Sequence, residues 1–230
     1  MAARIGLLGG TFDPIHFGHL RAAEEAYQKL ALDKVIFLPT AVPPHKKRPD
    51  LSPFSLRFEM VRLALSGVPY FEVSDLERRL PKPSYSVKTL EVLKEQVPGG
   101  EFFFILGFDA FLEFETWYEY QRIPTLAHLI VVTRGGGDEQ AFAAKVRELF
   151  PESKQENNFW WRLPRGFSVR YLPILRLDIS STFLRKAVKN RESIRFLTPD
   201  PVRDFIFAHG LYAADLASPG AREDCDKSPE

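Results

Sequence analysis

The stretch Gly9-Gly10-Thr11-Phe12-Asp13-Pro14-Ile15-His16-Phe17-Gly18-His19-Leu20 decides how the whole chain is read. Upstream of it, Ile5 to Leu8 is a short apolar run that predicts a buried strand. Downstream, Leu20, Ala23, Tyr27 and Leu30 recur at helical spacing and predict a helix over Arg21 to Leu30. A tight glycine turn therefore joins a strand to a helix N-terminus. Unpaired N–H groups and the positive end of the helix dipole meet at such a junction, and together they suit phosphate. Gly9 and Gly10 carry no Cβ, so a ligand can approach the backbone closely. His16 and His19 are three residues apart, which puts both imidazoles on one side of a helical start. Gly18 between them leaves room for a nucleotide against the backbone. Singly these features are commonplace, since most histidines are packed or solvated and most Gly-Gly pairs are turns. It is their combination in one strand-to-helix junction that carries information.

Working outward, apolar β-branched and aromatic runs alternate with helical patterns. Strands are predicted at Lys34–Leu38, Phe71–Val73, Glu101–Leu106, His128–Thr133 and Val169–Leu172. Helices are predicted at Ser55–Leu65, Ser86–Gln96 with Ser86 as the cap, Asp138–Phe150, Ser180–Val188 and Pro201–His209. Pro39 to Pro53 is a proline-rich loop holding Pro43-Pro44-His45-Lys46-Lys47-Arg48. This alternation predicts an α/β fold: a Rossmann-like, doubly wound parallel sheet with helices on both faces and a small C-terminal helical portion. Ligands of such sheets bind at the carboxyl ends of the strands, where the glycine turn lies. A single domain is expected over 1–212. The stretch 213–230 is small, polar and charged, and is expected to be a disordered tail. Glu152 to Arg165, with Trp160-Trp161, has no clear period and is expected to be a packing plug or a partner surface rather than part of the site.

Composition narrows the class. A formal net charge of +1 gives no global case for nucleic acid or membrane binding. The one cysteine, Cys225, excludes an internal disulfide framework. No apolar run approaches a membrane span, and the opening residues enter a core strand, so a cytoplasmic protein without a signal peptide is expected.

A second chemical station is Asp178-Ile179-Ser180-Ser181-Thr182-Phe183-Leu184-Arg185. Serines at a strand-to-helix junction are ordinary N-caps. Yet Ser181 and Arg185 share one helix face at the positive helix end, an arrangement that clamps a triphosphate. The two stations together resemble the nucleotidyltransferases that carry a His-x-Gly-His motif followed by Ser-Ser-Thr-x-x-Arg. Further stretches point to one branch. Pro43-Pro44-His45-Lys46, Pro83-Ser84-Tyr85-Ser86 and Gly107-Phe108-Asp109 with Trp117 are similar to blocks of the bacterial nicotinate-mononucleotide adenylyltransferase family, as are Pro199, Val202 and Leu211-Tyr212. The likeness spans about Arg4 to Tyr212. Departures are Ser86 for the usual threonine, glycine after Arg134, and no glycine before Ser193.

The resemblance implies transfer of AMP from ATP to nicotinate mononucleotide, releasing pyrophosphate. It makes His16, His19 and Arg185 the catalytic set. It assigns Gly9, Gly10, Thr11, Phe12, Gly18, Gly107, Asp109, Ile179, Ser180 and Ser181 to ATP, and His45, Lys46, Ser86, Trp117, Tyr118 and Arg134 to the acceptor. Magnesium is expected to arrive with ATP, without a dedicated metal cage. Two other readings stay open: a sister enzyme acting on pantetheine phosphate or transferring CMP, and a non-catalytic nucleotide-binding regulator. The oligomeric state is also left open, a homo-oligomer included.

Overall fold

The computed structural model describes residues 2–43, 50–134 and 139–213, with the Arg134 side chain left out. His45, Lys46 and, apart from Ala213, the expected tail lie outside the described residues. In chain order the described elements are β1 (Arg4–Gly10), α1 (Phe17–Lys29), β2 (Lys34–Pro39), α2 (Phe54–Ala64), β3 (Phe71–Val73), α3 (Leu76–Arg79), α4 (Ser86–Gln96), β4 (Glu101–Gly107) and α5 (Phe108–Leu112). They continue with β5 (His128–Arg134), α6 (Glu139–Leu149), β6 (Lys154–Asn157), β7 (Trp160–Arg162), β8 (Ser168–Ile174), α7 (Ser181–Lys189) and α8 (Asp200–Ala208).

Among the described residues the strands form one sheet in the order β3-β2-β1-β4-β5-β8-β7-β6. The pairings from β3 across to β8 are all parallel. Strand order reverses between β1 and β4, which opens a crevice at their carboxyl ends. The sheet is covered on both faces, and the sequence shows why. Along β4, Phe103 and Ile105 point into one apolar layer and Phe102, Phe104 and Leu106 into the other. In β5, Ile130 and Val132 face the first layer, Leu129 and Val131 the second. A strand buried on both faces has no polar side, so its sequence is a continuous apolar run. The layer on one face includes residues of α1, α2, α7 and α8; the other includes residues of α3, α4, α5 and α6.

Three expectations are corrected. The first helix begins at Phe17, four residues before Arg21, because His16 takes the extended N-cap conformation. Ser86 is the first residue of α4, and the cap position belongs to Tyr85, which gives no side-chain cap bond. The aperiodic stretch 152–165 contains the hairpin β6–β7, paired antiparallel to the edge at β8, so the sheet is not wholly parallel. Every residue of β6 is exposed, so an alternating pattern never arose there. Trp161 is a packing plug, 1% exposed and edge-on to Phe142 at 5.1 Å. The short helices α3 and α5 had no readable period in the sequence.

Glu25 ties α1 to the end of β8. Its carboxylate accepts the Leu175 N–H and the Arg21 Nε, both at 2.8 Å, and meets Lys29 Nζ at 2.7 Å. Burial alone would raise this carboxyl. The Lys29, Leu175 and Arg21 bonds outweigh it and bring the pKa from 4.5 to about 2. The native state therefore prefers the charged form, and that stabilisation is present above pH 4.5 and lost as pH falls toward 2. Glu25→Gln is expected to cost about 1–2 kcal/mol at pH 7, discounted because both cations are half in solvent. Urea unfolding at pH 7 and pH 3 checks this: the difference from the parent chain should shrink at the lower pH.

Candidate active site

Main-chain carbonyls of the Thr11–Ile15 loop are held by side chains from distant segments. Arg57 of α2 donates from Nη1 to Thr11 O at 2.7 Å. Arg185 of α7 donates from Nη1 to Asp13 O at 2.7 Å. The Ser181 hydroxyl donates to Pro14 O, and the Thr198 hydroxyl to Ile15 O, each at 2.8 Å. The Asp13 carboxylate is buried and accepts the Tyr212 hydroxyl at 2.6 Å. Burial and the adjacent Asp13 charge push that phenol upward, so it stays protonated and keeps donating. Phe12 sits at φ +49°, and its ring fills the space where a Cβ on Gly10 would stand, at 2.8 Å. A side chain at position 10 would force the Phe12 ring to shift.

The two histidines meet as their spacing predicts. Their rings stack at 3.7 Å with 23° between planes. His16 is buried, while His19 is partly exposed and accepts the His16 backbone N–H at its Nδ1, at 3.3 Å. Gly18 leaves little room for a side chain: a Cβ there would lie 3.0 Å from His16 Cε1 and Nδ1, so the imidazole would have to shift by a few tenths of an ångström. Ser180 caps α7 by accepting the Phe183 N–H at 3.1 Å. The N-termini of α1 and α7 thus converge on the same loop, bringing imidazole, hydroxyl and guanidinium groups together. Such a set suits an anion with several oxygens.

Beside this cluster lies a cavity of about 460 Å³ in the crevice between β1 and β4. It brings together Gly9, Gly10, Thr11, Gly107, Asp109, Ser86, Trp117 and Tyr118, from the first station and from segments about a hundred residues downstream. Trp117 packs against Phe114 and the edge of Phe104, leaving its indole partly exposed. Tyr118 stacks on Tyr85 at 4.3 Å. His16, His19, Gly18, Phe12, Ile179, Ser180, Ser181 and Arg185 do not line this cavity; they form the adjoining cluster around Thr11–Ile15. The Arg134 backbone ends β5, and its side chain, like His45 and Lys46, is outside the described residues. Among the described residues, no group of three or more His, Cys, Asp or Glu could hold a metal ion.

Sequence reasoning missed Arg57, Glu77 and Thr198. Arg57 had left a signal. It stands on the buried stripe of α2 with Met60, Val61 and Ala64, where an apolar residue would normally sit. Glu77 and Thr198 lie in short or irregular stretches with no period to break.

Comparison with known proteins places this geometry. A family model described as cytidylyltransferase-like matches residues 7–187. A Geobacter metallireducens protein named "Probable nicotinate-nucleotide adenylyltransferase" is 45% identical over 92% of this chain and 99% of its own length. A protein of the same name from Desulfatibacillum aliphaticivorans is 42% identical over 91% and 99%. A Plasmodium falciparum nicotinic acid mononucleotide adenylyltransferase complexed with NaAD shares the fold at TM-score 0.71 and 20% identity, over 91% of this chain and 97% of that one.

Arg57 holds the Thr11–Ile15 loop as a fork: Nη1 reaches Thr11 O, Nε reaches Ser52 O at 2.9 Å. Arg57→Lys keeps the charge but replaces a planar fork by a single ammonium. At least one carbonyl then loses its donor, at about 1–3 kcal/mol. Chemical denaturation should show this loss for Arg57→Lys, and a larger one for Arg57→Leu.

Proposed function

The chain belongs to the cytidylyltransferase-like family, among the nicotinate-nucleotide adenylyltransferases, and from that premise we propose that it moves AMP from ATP to nicotinate mononucleotide. The products are nicotinate adenine dinucleotide and pyrophosphate, a step of NAD biosynthesis. One observation carries the reading: the crevice between β1 and β4 joins the glycine turn to Trp117 and Tyr118 in a single cavity. A donor nucleotide and a pyridine acceptor can therefore lie end to end at the strand termini.

A phosphate oxygen of the acceptor forms a bond to the α-phosphorus of ATP. The bond from that phosphorus to the bridging oxygen breaks, and its electron pair leaves with pyrophosphate. The attacking phosphate monoester has a second pKa of about 6 and is mostly ionised near neutrality, so no general base is needed. The work is to hold two anions in line and to neutralise charge on the leaving group. In this reading Thr11, His16, His19 and Arg185 serve the triphosphate, with the start of α1. Gly9, Gly10, Phe12, Gly18, Ile179, Ser180 and Ser181 shape its seat, and Gly107 and Asp109 meet the nucleoside. Ser86, Trp117, Tyr118 and Arg134 serve the acceptor ring, and His45 and Lys46 its phosphate.

Magnesium belongs to the proposal as a companion of ATP. The donors gathered at the two helix starts are imidazole, guanidinium and hydroxyl, which suit phosphate oxygens rather than a hard cation. The metal would be held mainly by the phosphates themselves. A cytoplasmic location is part of the same reading, supported by the biosynthetic reaction. Among the described residues no helix is long and apolar enough to cross a membrane.

Pyrophosphate release with ATP and a panel of acceptors tests the function. Nicotinate mononucleotide should be used, and preferred over the amide by about a hundredfold or more, because donors such as the Ser86 hydroxyl satisfy a carboxylate but face the amide's NH₂. Activity only with pantetheine phosphate, or none with any acceptor, would replace this reading by one of its alternatives. Trp117→Ala should raise KM for both mononucleotides and leave KM for ATP nearly unchanged, since stacking on an aromatic face contributes roughly 1–3 kcal/mol.

His19→Ala is expected to lower kcat about a hundredfold while the melting temperature holds, because a donor aimed at charge growing in the transition state has that order of effect. A folded variant with near-normal turnover would take His19 out of the mechanism.

A further inference from the structure

Glu77 is an acidic group in an awkward place. It lies on α3, in the wall of the same cavity that holds Ser86, Trp117 and Tyr118. It is 7% exposed. Its Oε1 accepts the Thr89 hydroxyl of α4 at 3.2 Å. Its Oε2 is buried and makes no hydrogen bond of good geometry, although Ser84 and the Ala41 backbone stand close enough to favour its charged form. The described charged and titratable groups around it come from several elements. The Arg57 charge acts on it from α2, and Tyr85 lines the same cavity just before α4. Asp109 on α5 and Glu113 after it also line the cavity, and Asp75, Arg78 and Arg79 are its neighbours in sequence.

The acceptor proposed above carries a carboxylate on its ring and must sit in this cavity; the following rests on that reading. We propose that Glu77 sets the acid-over-amide preference of the acceptor pocket through its own charge. As a neutral acid it admits a ring carboxylate. As a carboxylate it repels one, while its attraction for the pyridinium charge is common to acid and amide and drops out of the comparison. The preference for the acid acceptor is therefore weakened as Glu77 ionises.

Local chemistry favours the neutral form. An ionised carboxylate buried in the cavity wall with one oxygen poorly hydrogen-bonded is costly, whereas the neutral group forgoes much less. Burial raises the pKa from 4.5 to about 7, against smaller lowering effects from Ser84, Thr89, the Ala41 backbone and the Arg57 charge. The sign follows: acid preference is full well below pH 7, where Glu77 is neutral, and declines as pH rises through about 7. Glu77 acts on acceptor affinity, so the effect should fall on KM and Kd rather than on kcat.

Calorimetric Kd values for nicotinate mononucleotide and nicotinamide mononucleotide, measured between pH 6 and 9, test the proposal. The two ligands share the phosphate, so its titration cancels in their ratio. In the parent chain the acid-over-amide ratio should fall about tenfold across that range, as expected for one added like charge at pocket distance. In Glu77→Gln the ratio should stay flat. Thr89→Val removes a donor that favours the charged form and should move the midpoint upward by about half a pH unit or more. This variant serves as the check should Glu77→Gln fold poorly. A flat ratio in the parent chain, or an equal fall in Glu77→Gln, would overturn the role of Glu77 while leaving the adenylyl transfer intact. Failure of nicotinate mononucleotide to bind at any pH would instead overturn the function itself, and this role with it.

Discussion

The Thr11–Ile15 loop depends on donors that it does not itself contain. Its carbonyls are met by Arg57, Arg185, Ser181 and Thr198, and its one carboxylate by Tyr212. Backbone carbonyls that turn away from water need partners, and a tight loop cannot supply its own. The partners come from α2, from α7, from the approach to α8 and from the chain beyond it. The catalytic loop is therefore held at several points by elements that pack on the same face of the sheet. This constraint explains why the second station, some 170 residues from the first, is structurally inseparable from it. Ser181 and Arg185 are expected to bind phosphate, and they also shape the loop that binds it.

The sheet decides where that loop stands. Reversal of strand order between β1 and β4 leaves their carboxyl ends without a crossover helix between them. The glycine turn fills one side of that gap, and Gly107 with α5 the other. Among the described residues, Ser86 hangs from the α3–α4 segment and Trp117 and Tyr118 from the chain beyond β4.

Charge is divided across the site in the same way. Around α1 and α7 the groups are imidazole, guanidinium and hydroxyl. Around the cavity the acids Glu77, Asp109 and Glu113 appear. A polyanion is drawn to the first side. In the proposed reading the second side accepts a ring carboxylate best while its buried acid stays neutral, which makes Glu77 a control point for acceptor choice.

The sequence by itself determined the layered α/β fold, because both-face burial writes continuous apolar runs for β1, β2, β4 and β5, and helical spacing marks the elements between them. It also determined the two chemical stations, since His16, Gly18, His19, Ser181 and Arg185 stand at fixed spacings on helix starts. Arg57 was half legible, as a charge on an apolar stripe. Other features were decided only in three dimensions. The β6–β7 hairpin has no alternating pattern, because β6 is exposed on both sides. Glu77 looks like any acid in a polar stretch, and only the packing of α3 under the cavity removes its water. The donors to the Thr11–Ile15 carbonyls are bonds from side chain to backbone. Such bonds depend on where a carbonyl points and not on which residue bears it, so no local pattern in the sequence records them.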